Sequence, residues 1–305
     1  AAKLVNNADW TEPIGVLDFL REVGKYVSIN QMLAKDSVRS RLDGDGGLSF
    51  TEFSYSLLQA NDFLHLYQHH HVELQAGGSD QWGNIVAGVD LIRRRTGEHA
   101  HALTHPLVTK SDGAKFGKTA TGAVWLDPEK TSPYQFRQFW VNQDDSMVPT
   151  YLKMFSLRPI DEVLALIVEH ESAPERRVGQ RALADEITAL AHGDHAAAAA
   201  AAAADVLFGG DPTSASREVF DVLAREVPSS TVSPAQLDDV VGILVRTGLA
   251  SSKSDARRTL SQKGFRANGV ILEDGTRLGG VALLHGQFLL LRKGRTAYHL
   301  VEVAS

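Results

Sequence analysis

The chain of 305 residues contains no cysteine. That excludes disulfides, cysteine-ligated zinc, iron–sulfur clusters and any cysteine nucleophile or redox centre, and it fits a reducing interior. Long hydrophobic runs are missing as well. The longest apolar stretch is the alanine tract from Ala196 to Ala204, far short of the roughly 20 residues a membrane-spanning helix needs. The first ten residues show no charged segment followed by an apolar one, so no signal peptide is expected, and position 1 is not a methionine. The Gly-x-x-x-x-Gly-Lys-Ser/Thr spacing of a P-loop is also absent. Positive charge is in deficit: the formal net charge is −6, which argues against a protein coated in basic side chains for nucleic acid.

That deficit is unevenly spread. Between Arg246 and Arg295 ten Lys and Arg residues stand against three acids, a local net charge of +7 that leaves −13 for the rest. A basic end on an acidic body reads as a nucleic-acid contact module joined to something with another job; the plain alternative is a solvated basic face.

Hydrophobic spacing supplies the organisation. Pro13 to Val23 and Ile29 to Leu42 carry helical periodicity, Asp43 to Gly47 breaks the chain, and Ser49-Phe-Thr-Glu52 is a capping box opening a helix through about His70. Val72 to Ala76 reads as a short strand, Trp82 to Arg95 as a helix and His101 to Thr109 as a second strand. Strand–helix–strand order predicts a parallel α/β unit, whose ligands sit at the carboxyl ends of the strands. From about 130 to 227 the pattern is almost purely helical. Ser132-Pro133 is an N-cap with proline at the first helical position; Pro159, Pro174 and Pro212 punctuate the helices, Gly193 and Gly209-Gly210 supply C-caps, and the alanine tract reads as a helix. Val227 to Ser233 is the best linker candidate. A helix from Ser233-Pro234 to Gly248 follows, then another over about Ser254 to Lys263, then short β-runs turning at Asn268-Gly269 and Asp274-Gly275.

Three constellations carry chemistry. Tyr55, Gln59 and Asp62 are spaced by four and three, which puts them on one helical face, while Phe53, Leu57 and Leu64 pack the core. A solvated polar stripe is the bland reading. In Gln75-Ala-Gly-Gly-Ser-Asp-Gln-Trp-Gly-Asn84, glycines follow a strand and precede a helix, so backbone can approach a ligand closely; Asp80 and Gln81 stand where they could hydrogen-bond ribose hydroxyls and a carboxyl group. The alternative is a tight turn in which Asp80 merely caps the helix. In Lys110-Ser-Asp-Gly-Ala-Lys-Phe-Gly-Lys-Thr119, Lys115 and Lys118 lie in a glycine-bounded loop, an arrangement suited to a polyphosphate whose charge grows as pyrophosphate leaves; an exposed lysine loop is the alternative.

Tyr55-xxx-Gln59-xx-Asp62, then Gly77-Gly-Ser-Asp-Gln-Trp-Gly83, then Lys115-Phe-Gly-Lys-Thr119, in that order, resemble the bacterial-type tyrosyl-tRNA synthetases, the last as their form of the class I "KMSKS" signature. Residues 249–269 resemble the RNA-binding module shared with the fourth small-subunit ribosomal protein. The resemblance covers essentially the whole chain. It implies an α/β fold: a partial Rossmann-type parallel-sheet catalytic domain over 1–127, an all-helical anticodon-binding domain over 128–228 and a small α+β RNA-binding domain over 232–305. It implies a cytoplasmic, homodimeric tyrosine–tRNA ligase. Asp62 would accept the substrate phenol, Tyr55 and Gln59 would hold its ammonium, and Gln81 its carboxyl side. Gly78 and Asp80 would contact the adenylate ribose; Lys115 and Lys118, the catalytic pair, would cradle the phosphates of ATP, a substrate that carries its own Mg²⁺. Lys253, Arg257, Arg258, Lys263 and Arg266 would contact tRNA.

Departures matter too. No His-x-Gly-His occurs, so the chain is expected to begin within the second half of that catalytic domain, without the family's upstream pocket residues. A synthetase-derived RNA-binding protein without catalysis is the rival reading, yet the pocket residues and both lysines are present. His69 to His71 and His99, His101 and His105 invite a metal reading. The triplet is expected at a helix end, where imidazoles meet the dipole, and no protein-bound metal is expected. Trp82 and the Phe136, Phe139, Trp140 cluster are expected in the core, and the apolar stretch 14–42 is where the resembling family forms its dimer.

Overall fold

The computed structural model describes residues 2–33, 38–39, 47–114, 116–119, 122–273 and 275–304. They form two compact units, Ala1–Thr109 and Lys110–Ser305.

In the first unit, short helices α1 (Ala8–Thr11), α2 (Val16–Glu22) and α3 (Ile29–Leu33) precede the long helix α4 (Phe50–His70). The capping box is realised: Ser49 Oγ accepts from Glu52 N, and the Glu52 carboxylate accepts from Ser49 N, each at 3.2 Å. The helix stops where His71 turns left-handed at φ 56°. Strand β1 (Leu74–Gly78) follows, then α5 (Trp82–Thr96) and β2 (His101–His105). β1 and β2 are parallel in register Leu74↔His101 through Gly78↔His105, joined by the α5 crossover. The first strand therefore includes the two glycines instead of ending before them, and the second ends at His105, where Pro106 interrupts the ladder.

Helices α4 and α5 approach closely at Gly88. A Cβ on Gly88 would stand 2.8 Å from Phe63 Cδ1 and 3.0 Å from its Cβ, so glycine is what lets Phe63 pack this closely against α5. Phe63, Ala60, Leu64, Leu91, Ile92, Val23 and Ala100 form the buried cluster of this unit. Trp82 does not join it. At the first position of α5 it is 53 % exposed, which corrects the expectation of a core role.

In the second unit a two-stranded ribbon, β3 (Lys118–Thr119) and β4 (Gly122–Ala123), leads into α6 (Pro133–Val141), α7 (Val148–Phe155), α8 (Ile160–Ser172), α9 (Val178–His192), α10 (Asp194–Leu207) and α11 (Arg217–Glu226). Ser132 Oγ caps α6 by accepting from Gln135 N at 3.1 Å, with Pro133 at the first position as expected. The expected core role of Phe136 and Trp140 holds: both are buried.

Next come β5 (Ser229–Val232), α12 (Val240–Arg246), α13 (Lys253–Ser261), β6 (Phe265–Ala267), β7 (Val270–Ile271), β8 (Phe288–Lys293) and β9 (Ala297–Val303). The five strands order β5-β9-β8-β6-β7, with β5 parallel to β9. The segment expected as a linker is thus an edge strand. Thr231 and Val232 suit a pleated, half-buried surface, and Ser229 to Val232 pair with Leu300 to Val303. The helix expected from 234 to 248 is broken at Asp239, whose carboxylate accepts from Gly242 N at 2.8 Å and starts α12 anew.

Sheet and helices share one core. Ala203, Val206, Phe220 and Leu223 from α10 and α11 bury against Phe288, Leu290, Tyr298 and Leu300 of β8 and β9. Alanine permits this, because its small side chain lets the sheet approach α10 closely. Among the described residues no helix is long and apolar enough to cross a membrane.

Replacing Gly88 with Ala overpacks the α4–α5 contact and should cost about 1–3 kcal/mol in urea denaturation. An unchanged midpoint would mean that Phe63 moves aside freely.

Candidate active site

Helix α4 places Tyr55, Gln59 and Asp62 on one face, beside the core stripe of Ser56, Ala60 and Phe63. Tyr55 is exposed and Gln59 half-buried, and neither side chain hydrogen-bonds among the described residues. Asp62 differs. Trp10 Nε1 donates to its Oδ1 at 2.9 Å and Asn7 Nδ2 donates to its Oδ2 at 3.1 Å. One N–H thus lies on each oxygen, and a carboxylate with roughly four acceptor positions keeps the others open.

The Trp10 indole is itself fixed. It stacks on His65 with centroids 4.3 Å apart and planes 10° apart, and His65 in turn meets His69 at 4.4 Å. Burial, followed by the charges of His69 and His70, pushes the His65 imidazole below its ordinary value of 6.5. It therefore stacks in the neutral form near neutral pH. The described part of the histidine triplet ends α4 as expected, with His71 as its C-cap.

At the carboxyl end of β1, Gly77 and Gly78 are required by space. A Cβ on Gly78 would stand 2.8 Å from Asp80 Oδ1 and 3.0 Å from Leu107 Cδ2; one on Gly77 would stand 3.2 Å from both Gln81 Cβ and Ile85 Cδ1. Asp80 and Gln81 form the single 3-10 turn that opens α5. Gln81 Nε2 donates to Asp80 Oδ2 at 3.4 Å and Gln81 Oε1 accepts from Asn84 Nδ2 at 3.3 Å. Among the described residues no hydrogen bond joins this turn to Asp62. The side-chain amide oxygen Oε1 of Gln75, on β1, is buried and has no hydrogen-bond partner among the described residues.

In the second unit, Lys115 lies outside the described residues, and Lys118 contributes the backbone of β3, paired with Ala123. Between them Phe116 packs into the helical part, within 6 Å of the Phe139, Trp140, Tyr151 and Phe155 rings. A cavity of about 940 Å³ adjoins this loop, lined among others by Lys110, Lys130, Gln135, Asn142 and Asp144.

The five cations expected to meet RNA divide into two groups. Lys253 and Arg257 lie one helical turn apart on α13, both exposed and without an ion pair among the described residues. Arg258 is paired with Asp255 at 2.8 Å and Lys263 with Glu273 at 2.9 Å, while Arg266 Nη1 donates to Gly269 O at 2.9 Å.

A family model described as "tRNA synthetases class I (W and Y)" matches residues 1–209, and one described as "Tyrosine--tRNA ligase SYY-like C-terminal domain" matches residues 219–301. The tyrosine–tRNA ligase of Anaeromyxobacter dehalogenans (strain 2CP-C) is 49 % identical over 307 residues, covering 99 % of this chain and 73 % of that protein. That of Roseiflexus castenholzii is 49 % identical over 308 residues with the same two coverages. The chain belongs to the tyrosyl-tRNA synthetase family. A C-terminally truncated mitochondrial tyrosyl-tRNA synthetase of Coccidioides posadasii superposes with a TM-score of 0.56 at 36 % identity, covering 64 % of this chain and 56 % of that one.

In this tyrosyl-tRNA synthetase chain, sequence reasoning missed Asn7 and Trp10. They stand 55 and 52 residues before the carboxylate they bind, and no local spacing reveals such a pair. The available signal was a tryptophan, a donor-only side chain, in an otherwise polar segment.

Asp255 organises the start of α13 and its link to β8. It accepts from Ser251 N at 3.1 Å, Lys293 Nζ at 3.3 Å and Arg258 Nη2 at 2.8 Å. The Ser251 amide first, then Lys293 and Arg258, hold its carboxyl at about 2, against an ordinary 3.8. A depressed folded-state value contributes stability that is complete above about pH 4 and is lost as pH falls through about 2. Asp255→Asn should therefore be less stable than the parent at pH 6, with the gap closing as pH drops from 4 toward 2 in urea titrations. A gap constant with pH would contradict this role.

Proposed function

We propose that this chain carries out the work of a tyrosine–tRNA ligase: ATP-dependent activation of L-tyrosine to tyrosyl-adenylate, then transfer of the tyrosyl group to the terminal ribose of its tRNA. The observation that carries the reading is the Asp62 carboxylate, pinned by one N–H on each oxygen with acceptor positions to spare. A phenol donates to such an acceptor, whereas phenylalanine leaves it short of a partner. Tyr55 and Gln59, on the same face and without side-chain hydrogen bonds among the described residues, receive the ammonium group.

Gln81 takes the carboxyl side, and Gly78 and Asp80, which pack directly against one another, take the ribose. The tyrosine carboxylate attacks the α-phosphate of ATP, the bond to pyrophosphate breaks, and Lys115 and Lys118 offset the charge gathering on the leaving group. Magnesium enters with the nucleotide. Positioning and charge stabilisation supply the rate, with no covalent bond to the enzyme. The division into a catalytic part over 1–127, a helical anticodon-binding part over 128–228 and an RNA-binding part over 232–305 belongs to the same proposal. So does a homodimer, supported by the exposed apolar row Val16, Leu17 and Leu20 on α2.

The experiment is tyrosine binding by Asp62→Ala in the full-length protein. Tyrosine affinity should fall at least about tenfold, for a loss of roughly 1.5–3 kcal/mol, while ATP affinity stays the same. Unchanged tyrosine affinity would refute the assignment.

RNA contact is better tested by charge than by truncation, since removing 232–305 would uncover Phe220 and Leu223. Lys253→Ala with Arg257→Ala should weaken tRNA binding and flatten its salt dependence by about 1–2 in log–log slope. The paired Arg258 should matter less. An unaltered slope would remove these two residues from the interface.

A further inference from the structure

The indole that donates to Asp62 rests on a ring that can take up a proton. Trp10 and His65 lie face to face, with centroids 4.3 Å apart and planes 10° apart. In that arrangement Trp10 Nε1 reaches Asp62 Oδ1 at 2.9 Å. A phenylalanine at position 65 would stack as well. A histidine adds a group that titrates near physiological pH.

The surroundings of His65 oppose that proton. On its own helix, His69 lies 4.4 Å away and His70 6.0 Å away, measured between ring centroids. Ahead of α1, Lys3 Nζ stands 3.3 Å from His70 Nδ1, and Lys3 and Asp9 line a cavity together with His65 and His70. A narrow cleft beside the same ring is lined by Glu22 of α2 and Arg95 of α5, which pair with each other. Asp62 favours a charged ring, but both of its oxygens already accept N–H groups, from Asn7 and Trp10. A charged imidazole would still be drawn to the indole face. Like charge on two neighbouring imidazoles works against it, and so does the loss of water on burial.

We propose that His65 is a positioning residue for the substrate phenol: its uncharged ring holds the Trp10 indole so that Nε1–H stays on Asp62, and proton uptake by that ring lowers the preference for tyrosine over phenylalanine. The proposal rests on the reading that Asp62 accepts the phenol. With the indole loosened, the carboxylate loses one of its two donors and can turn, so a hydroxyl meets an acceptor no longer aimed at it. Phenylalanine makes no such bond and is affected far less. The direction with pH follows from the folded-state value of His65, which burial, then His69 and His70, hold below the ordinary 6.5. The stack is therefore complete above about pH 6.5 and weakens as pH falls from there toward the lowered value, because an unstacked ring takes its proton first.

The test measures tyrosine and phenylalanine affinities of the full-length protein at about pH 7.5 and about pH 5.5, since their ratio cancels titrations that both amino acids feel. Melting temperature and the indole N–H resonance of Trp10, assigned by its loss in Trp10→Phe, are followed at both pH values. In the parent, the preference should fall about threefold or more on acidification, the order of one neutral hydrogen bond, and the indole resonance should shift with it. His65→Phe should keep the preference near the parent's at the higher pH and show no fall at the lower. His65→Leu, which removes the ring, should be less selective at both. His69→Gln with His70→Gln should make the fall shallower, because a charged His65 is then better tolerated.

A parent whose preference does not change with pH would overturn the proposal. So would His65→Phe with the parent's pH dependence, which would put the proton elsewhere. Equal losses of tyrosine and phenylalanine affinity in His65→Leu, together with a lower melting temperature, would mark a general structural role and overturn it as well. Asp62→Ala separates the two readings. If it leaves tyrosine affinity unchanged, the phenol assignment fails and the proposal with it; if it abolishes that affinity while the His65 variants match the parent, the positioning role alone fails.

Discussion

A carboxylate on a half-buried helix face must be given hydrogen bonds, and the first unit is built around how Asp62 receives them. Trp10 and Asn7 each supply one N–H, to different oxygens. The indole is held by stacking on His65, a neutral imidazole at neutral pH, so its N–H points one way. Such a fixed, partly satisfied acceptor is costly to leave short of a donor, and in the proposed function that cost becomes selectivity for a hydroxyl. The rest of the unit sets the phase of this arrangement. The capping box starts α4 at a defined residue, the Phe63–Gly88 contact fixes the helix against α5, and the parallel strands present Gly77 and Gly78 at their carboxyl end.

The second unit packs its loop and its basic C-terminal part against helices. The loop is tied to α6 and α7 through Phe116, and to Asp144 in the turn between them through Ser111. The basic module shares a core with the alanine helix and with α11. Its exposed cations Lys253 and Arg257 sit on a helix whose first turn is held by Asp255. Charge and position are therefore set by packing, and a change far from either site can reach it through the helices.

Much of this was legible because it is local. Ser49 with Glu52, Ser132 with Pro133, and the polar stripe at 55, 59 and 62 are signals contained within one helical turn or two. What escaped was non-local or decided by competition. The 227–233 segment, with its proline and serines, looks like a linker until Leu300 to Val303 offer it a ladder. Trp82 looks like core by its chemistry, but the first position of α5 turns it outward. Asp239 interrupts a helix that apolar spacing alone would continue. The partners of Asp62 depend on a contact closed across more than fifty residues, which no periodicity encodes.

The most direct measurement is the preference for tyrosine over phenylalanine in full-length protein carrying Trp10→Phe, which keeps a ring over His65 but removes the N–H. The account predicts that the preference falls about tenfold, on the order of 1–2 kcal/mol for one charge-assisted hydrogen bond, with phenylalanine affinity almost unmoved. A variant as selective as the parent would show that the indole does not aim the carboxylate, and the pocket described for this chain would lose its basis.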